Sequence, residues 1–260
     1  MSEEPGAELL GTRAFWDARG RENAAWYVDT SLDYEHPDME AFWATGDVVV
    51  REALLEAPVR PSGSQRALEI GSGLGRICRA LRTHFNEVVG IDIAPSMVEQ
   101  ARALVQTDGV RFDLGDGSGL PGVADGSVDF VVTFTVFQHQ TSTDAIAASL
   151  NEVARVLAPG GVVAAQWNNI DAGAYERSKR QWRRQAQLRR LPLVGRRFGP
   201  SAPQDEQRLA PQFLGTTATV AFMRETLEAC GLQVVGTKGE GTLFAWVWAR
   251  QPDAVTPGDA

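Results

Sequence analysis

The sequence predicts an α/β fold: a mostly parallel seven-stranded sheet with helices on both faces and a last strand that runs antiparallel. Three observations carry this. From Arg66 onward, short apolar runs alternate with helix-like segments, the pattern of the crossover units that build a parallel sheet. An apolar run from Arg66 passes through a glycine-rich turn into a helix-like segment at Arg76, and a second apolar run ends in Asp92. Two closing apolar runs, 232–238 and 242–250, are joined only by Gly-Glu-Gly, which excludes a helical crossover and permits an antiparallel hairpin.

Taken in order, residues 1–11 read as a poorly ordered end. Aromatic residues then crowd the N-terminal region: Phe15, Trp16, Trp26, Tyr27, Tyr34, Phe42 and Trp43. A helix over 38–56 is expected because Asp38 follows Pro37 as a start signal, with Phe42, Trp43, Val49 and Leu54 as its buried positions. Strands are expected at 66–70, 88–92, 110–113, 128–134 and 161–167, and helices at 75–84, 95–106, 143–157 and 219–230. Ala158-Pro-Gly-Gly161 and Cys230-Gly231 supply helix stop signals. The tail from Pro252 reads as a second poorly ordered end.

Composition narrows the function classes. With 43% hydrophobic residues in 260, the chain can bury a full core. It holds no apolar run near the ~20 residues needed to span a bilayer, and its acidic start lacks the order of a signal peptide. Cys78 and Cys230 match neither a disulfide framework nor a metal-site spacing, so both read as reduced residues of a cytoplasmic protein, and no metal is expected. A net charge of -8 argues against a general nucleic-acid-coating surface.

The glycine turn has its own chemistry. Glycines accept positive φ and let backbone approach a ligand, the next helix start offers free N–H groups, and a carboxylate at the following strand tip can hold a ribose. The spacing here is G-x-G-x-G at Gly71, Gly73 and Gly75. Arg76 stands where a dinucleotide-binding turn wants its third small residue.

With these residues in view, the sequence over 66–250 resembles the class I S-adenosylmethionine-dependent methyltransferases, small-molecule type, which implies a Rossmann-like core. Leu68-Glu-Ile-Gly-Ser-Gly-Leu-Gly75 looks like the family's first motif, which implies that Glu69, Gly71, Ser72 and Gly73 cradle the methionine part of S-adenosyl-L-methionine, leaving S-adenosyl-L-homocysteine as product. Gly90-Ile-Asp92-Ile-Ala-Pro-Ser-Met97 implies Asp92 on the ribose hydroxyls, with Ile93 and Met97 beside the adenine. Phe112-Asp-Leu-Gly-Asp-Gly117 implies Asp116 and Gly117 at the adenine edge. Ser127-Val-Asp-Phe-Val-Val-Thr-Phe134 resembles the fourth strand, whose end at Phe134 lies beside the methionine. Val153-Ala-Arg-Val-Leu-Ala-Pro-Gly-Gly161 resembles the turn before the fifth.

The acceptor side follows from the same frame. Residues 135–140 lie beyond the fourth strand, near the methyl group. His139 is the side chain there whose ordinary pKa suits proton removal near neutrality, so it is the candidate base, against a structural role on backbone. Gln138, Tyr27 and Trp167 are candidate acceptor contacts.

The organisation expected is a helical and aromatic cover over the active site (1–60), a cofactor-binding core (61–167), a helical lid insertion (168–218) and a closing helix and hairpin with a disordered tail (219–260). Within the insertion, 177–197 hold nine Lys and Arg and no Asp or Glu. A solvated amphipathic helix accounts for that, and attraction of an anionic acceptor comes second. One short basic segment on an acidic protein is a poor nucleic-acid footprint. The function expected is methyl transfer to O or N of a small organic acceptor, anionic or natural-product-like. Two alternatives stand beside it: an NAD(P)-dependent oxidoreductase, which shares the first strand–helix–strand unit, and a non-catalytic cofactor binder that engages a partner through the basic insertion.

Overall fold

A computed structural model describes residues 5–57, 65–117, 119–169, 215–242 and 244–253. Two helices, α1 (Pro5–Val28) and α2 (Met39–Leu55), precede the sheet. The core then runs β1 (Arg66–Ile70), α3 (Arg76–Leu81), β2 (Glu87–Asp92), α4 (Pro95–Leu104), β3 (Val110–Leu114), β4 (Val128–Phe134), a 3-10 turn (Phe137–His139), α5 (Thr143–Val156) and β5 (Leu157–Asn168). It closes with α6 (Val220–Ala229), β6 (Gln233–Lys238) and β7 (Phe244–Arg250).

The seven strands form one sheet in the order β3-β2-β1-β4-β5-β7-β6. Pairing is parallel from β3 to β5 and antiparallel at β5–β7 and β6–β7, so β7 alone is reversed. Reversal at β7 follows from the short link out of β6, which permits only a hairpin. Alternate strand residues face opposite sides. Leu68, Val131, Val163 and Ala165 pack under Ile146, Leu150 and Val153 of α5 and Met223 and Leu227 of α6. Ala67, Phe130, Val132, Val162 and Ala164 pack under Val49 and Ala53 of α2, Ile77 and Leu81 of α3, and Val98 of α4. Burial on both faces explains why the central strands read as unbroken apolar runs.

Helix α2 starts where expected, with Asp38 accepting the N–H groups of Glu40 and Ala41. It buries Phe42, Gly46, Val49, Val50 and Ala53, while Trp43 and Leu54 are only partly covered. Two expectations need correction. Helix α1 already runs from Pro5, inside the stretch 1–11 read as poorly ordered. Ala158-Pro-Gly-Gly161 does not separate helix from strand, because β5 begins at Leu157, directly after α5. The chain also stays paired past Arg250: the Gly160 N–H donates to the Gln251 carbonyl and the Gln251 N–H to that of Gly161.

Helix α1 is kinked at Asn23 (φ -162°, ψ 79°). Asn23 caps the short second half through Oδ1, which accepts the Trp26 N–H, while its Nδ2 donates to the Tyr34 carbonyl. The first half lies on α4. Ser96 donates its N–H to Asp17 Oδ1 and its hydroxyl to the Asp17 carbonyl, each at 2.8 Å, and Gln100 Nε2 donates to the Gly20 carbonyl. Gly20 permits this approach, since a Cβ there would stand 2.4 Å from Ser96 Oγ. Most of the expected insertion, 170–214 with its basic stretch 177–197, lies outside the described residues.

Candidate functional site

The C-terminal ends of β1, β2 and β4 converge on a cavity of about 210 Å³, roofed by Thr12, Trp16, Tyr27 and Val28 of α1. Its floor is the turn after β1. Gly71, Gly73 and Gly75 all have positive φ there, and two of them are seats for neighbours. A Cβ on Gly71 would stand 2.2 Å from Val136 Cγ2, and one on Gly73 would stand 2.6 Å from Val28 Cγ2. The Gly71 and Ser72 N–H groups both donate to the Ile91 carbonyl, tying the turn to β2. Ser72 Oγ is buried with no hydrogen-bond partner among the described residues, which marks a place for a ligand group.

Asp92 ends β2 beside this turn. Its Oδ2 accepts the Gly73 N–H at 2.8 Å and its Oδ1 the Ala94 N–H at 2.9 Å. Burial pushes its carboxyl upward, against these two hydrogen bonds. Glu69 on β1 is buried and accepts the Cys78 N–H at 2.9 Å. Burial raises its carboxyl to about 8, opposed by the bonds to Cys78 and the charge of Arg76. Both carboxylates face the cavity, with Ile93, Met97, Gly117 and Phe134 around them.

Of the other expected site residues, Asp116, Trp167 and Gln138 fall outside the cavity lining. Asp116 is exposed and its Oδ1 accepts the Gly119 N–H, so it caps its own turn outside the cavity lining. Trp167 is sealed in the core under α5 and α6, its Nε1 donating to the Ala218 carbonyl. Gln138, within the 3-10 turn, is buried and does not line the cavity; its Nε2 lies 3.4 Å from His139 Nε2 and its Oε1 lacks a partner among the described residues. Tyr27 does line it, but its hydroxyl is engaged on the far side, accepting from Arg19 and donating to Glu22. His139 lines the cavity with its ring 4.8 Å from that of Trp16, edge to face.

Sequence reasoning passed over Arg76 as a site residue. It lines the cavity, is buried, pairs with Asp29 at 3.1 Å and stands over the rings of Phe42 and Phe134. A charged residue directly after a glycine turn, opening a helix otherwise apolar on its core face, is the signal that could have found it. Trp16 and Thr12 were missed with the first half of α1. Among the described residues, no group of three or more His, Cys, Asp or Glu could hold a metal ion.

This geometry suits a nucleoside-bearing group: a carboxylate fixed at a strand tip, an orphaned hydroxyl, and a glycine turn whose backbone a Cβ would block. Comparison with known proteins points the same way. Residues 68–165 match the family model described as a methyltransferase domain. A biotin biosynthesis bifunctional protein of Cellvibrio japonicus is 31% identical over 160 residues, 61% of this chain and 30% of that one. An uncharacterized methyltransferase of Mycobacterium tuberculosis is 35% identical over 112 residues, 43% of each. The chain thus spans less than half the length of these curated relatives. Among solved structures, a chain of the complex between the Haloferax volcanii Trm112 methyltransferase activator and a methyltransferase aligns with TM-score 0.61 at 21% identity, covering 89% of this chain and 98% of that one. Magnesium protoporphyrin IX methyltransferase of Synechocystis with bound SAH aligns with TM-score 0.60 at 16% identity, covering 92% and 97%. At such identities the structures share the fold.

Proposed function

We propose that the chain is a class I S-adenosylmethionine-dependent methyltransferase, a reading supported by the match of residues 68–165 to a methyltransferase domain, and that it methylates O or N of a small organic acceptor held under α1. The observation that carries this reading is the pairing of Asp92 with the Gly73 N–H beside the orphaned Ser72 hydroxyl, under a roof of aromatic side chains.

S-adenosylmethionine, when bound, supplies a methyl group made electrophilic by a positively charged sulfur. Glu69, Ser72 and the glycine turn would hold its methionine part, and Asp92, Ile93 and Met97 its nucleoside. Around the reacting atoms, Trp16, Tyr27 and Phe134 exclude water and confine the acceptor, and such positioning is the larger share of catalysis here. An acceptor O–H or N–H must lose its proton as the new bond to carbon forms. His139 is the proposed base, with its ring set by the edge-to-face contact with Trp16. The basic stretch 177–197 would favour an anionic acceptor, whereas the cavity lining itself includes Glu69, Asp92 and Glu152.

The test is thermal protection followed by turnover. S-adenosylhomocysteine should raise the melting temperature and NAD should not, because a ligand of the native state stabilises by mass action. A screen of small alcohols, amines and carboxylic acids with a labelled methyl donor then finds the acceptor. Protection by NAD and none by S-adenosylhomocysteine would sink the reading.

A further inference from the structure

Thr135, directly after β4, has φ +60° and is the one positive-φ residue other than glycine among the described residues. A β-branched side chain is strained in that region, and the strain persists only where the surroundings over-determine it. The surroundings here are the Phe134 carbonyl, which accepts the Thr135 hydroxyl at 2.7 Å, and above all Gln166. The Thr135 N–H is shared between two acceptors on that single residue, the Gln166 backbone carbonyl at 3.1 Å and its side-chain Oε1 at 3.2 Å. Gln166 itself is buried on β5, in register with Phe134 on one side and Trp246 on the other.

The kink has consequences on both sides of the cavity. It drives Val136 into the space left by the missing Cβ of Gly71. It also starts the 3-10 turn, where the His139 N–H donates to the Val136 carbonyl and the His139 ring meets Trp16. One strained residue thus links the seat of the glycine turn to the placement of the histidine.

We propose that Gln166 is a positioning residue: by gripping the Thr135 N–H with both carbonyls, it holds the left-handed turn that seats Val136 on Gly71 and His139 in the cavity. This deepens the methyltransferase reading and rests on it only for the identity of the ligand used as probe.

The experiment is a cycle of Gln166→Leu, Thr135→Gly and the double variant, each measured for melting temperature, S-adenosylhomocysteine affinity by calorimetry and the His139 imidazole resonances. Gln166→Leu should lower the melting temperature, weaken S-adenosylhomocysteine about tenfold, as loss of one ~1.4 kcal/mol interaction would, and shift the His139 resonances. Thr135→Gly alone, free of the strain, should keep or raise the melting temperature. In the double variant all three readouts should return toward wild type, because glycine holds the turn unaided. Should Gln166→Leu fail to fold, recovery of fold in the double variant supports the proposal equally. A double variant no better than Gln166→Leu overturns it, as does a Thr135→Gly protein that melts clearly below wild type. If wild type does not bind S-adenosylhomocysteine, the functional reading falls, while melting and resonances still decide the role of Gln166.

Discussion

Arg76 and Asp29 form an ion pair at 3.1 Å in which both side chains are largely buried, 7% and 12% exposed. The pair joins the first helix of the sheet domain to the loop after α1, and Thr45 of α2 adds its hydroxyl to the same guanidinium. Arg76 also roofs Phe134, so the N-terminal cover and the cavity wall share one charge. Removing one member leaves the other buried without its counter-charge, a loss of about 3–5 kcal/mol. Asp29→Ala should therefore lower stability by that order in a denaturant titration. Asp29→Leu with Arg76→Met should recover much of it, and equal losses in single and double variants would mean that the pair is not what joins the two parts.

Asp17 does for α4 what its own chain neighbour cannot. The N-cap of α4 is Ala94, which has no side-chain acceptor, and Pro95 follows. Asp17 accepts the Ser96 N–H instead, from α1. The cap is a tertiary contact, so its loss frees a helix start and releases α1 together. Asp17→Ala should cost about 1 kcal/mol, the usual worth of a cap, and Gly20→Ala should do more by forcing apart Ser96 and α1. Hydrogen exchange is the measurement: amides of α1 should lose protection in both variants while those of β1 and β4 keep theirs.

The sheet was readable because the central strands are buried on both faces, as 66–70 and 128–134 are, and the first of these runs directly into Gly71. The same burial hid which residues reach the cavity. On β5, Gln166 and Trp167 alternate between faces, and the apolar stretch 162–165 before them gives no sign that Trp167 turns toward α5 and α6. The first half of α1 was missed because it docks through Asp17, Gly20 and Arg13, the last donating to the Gly115 carbonyl, rather than through an apolar stripe. The strand begins at Leu157, despite Pro159, because a register shift near Val128 accommodates the irregular start.

Glu69 makes stability depend on pH in an unusual sense. Burial raises its carboxyl from the ordinary 4.5 to about 8 in the folded chain. Between these values the unfolded chain has lost the proton that the folded chain keeps, so the native state binds more protons and stability falls as pH rises. Burial shifts Asp92 in the same direction. Wild type should melt lower at about pH 8 than at about pH 5. Glu69→Gln, which still offers an oxygen to the Cys78 N–H, should show a smaller decline. A parallel decline in both proteins would remove Glu69 as its source.

Asp92 separates ligand binding from fold. Its two oxygens are committed to the Gly73 and Ala94 N–H groups, and Asp92→Asn keeps one acceptor while removing the charge. The variant should fold, since burial already disfavours that charge. If the carboxylate holds a ribose, S-adenosylhomocysteine should bind at least tenfold more weakly, a loss of about 1.4 kcal/mol or more. Calorimetry with S-adenosylhomocysteine reads this directly, and an unchanged affinity would move the nucleoside away from β2.

His139 is testable through the shape of its pH profile once an acceptor is in hand. A neutral imidazole takes the acceptor's proton and an imidazolium cannot, so turnover by wild type should rise with pH as the ring loses its proton. His139→Ala should lower kcat about 100-fold, within the range for a positioned base, and lose that rising limb. Affinity for S-adenosylhomocysteine should change little, because the ring faces Trp16 on α1 rather than the glycine turn. Trp16→Ala is the complementary variant: it leaves the imidazole chemistry intact but removes the edge-to-face contact that positions the ring, so kcat should fall while the limb stays. A His139→Ala enzyme with the wild-type profile would make the histidine a structural prop for Trp16, and the acceptor would then reach the site already deprotonated.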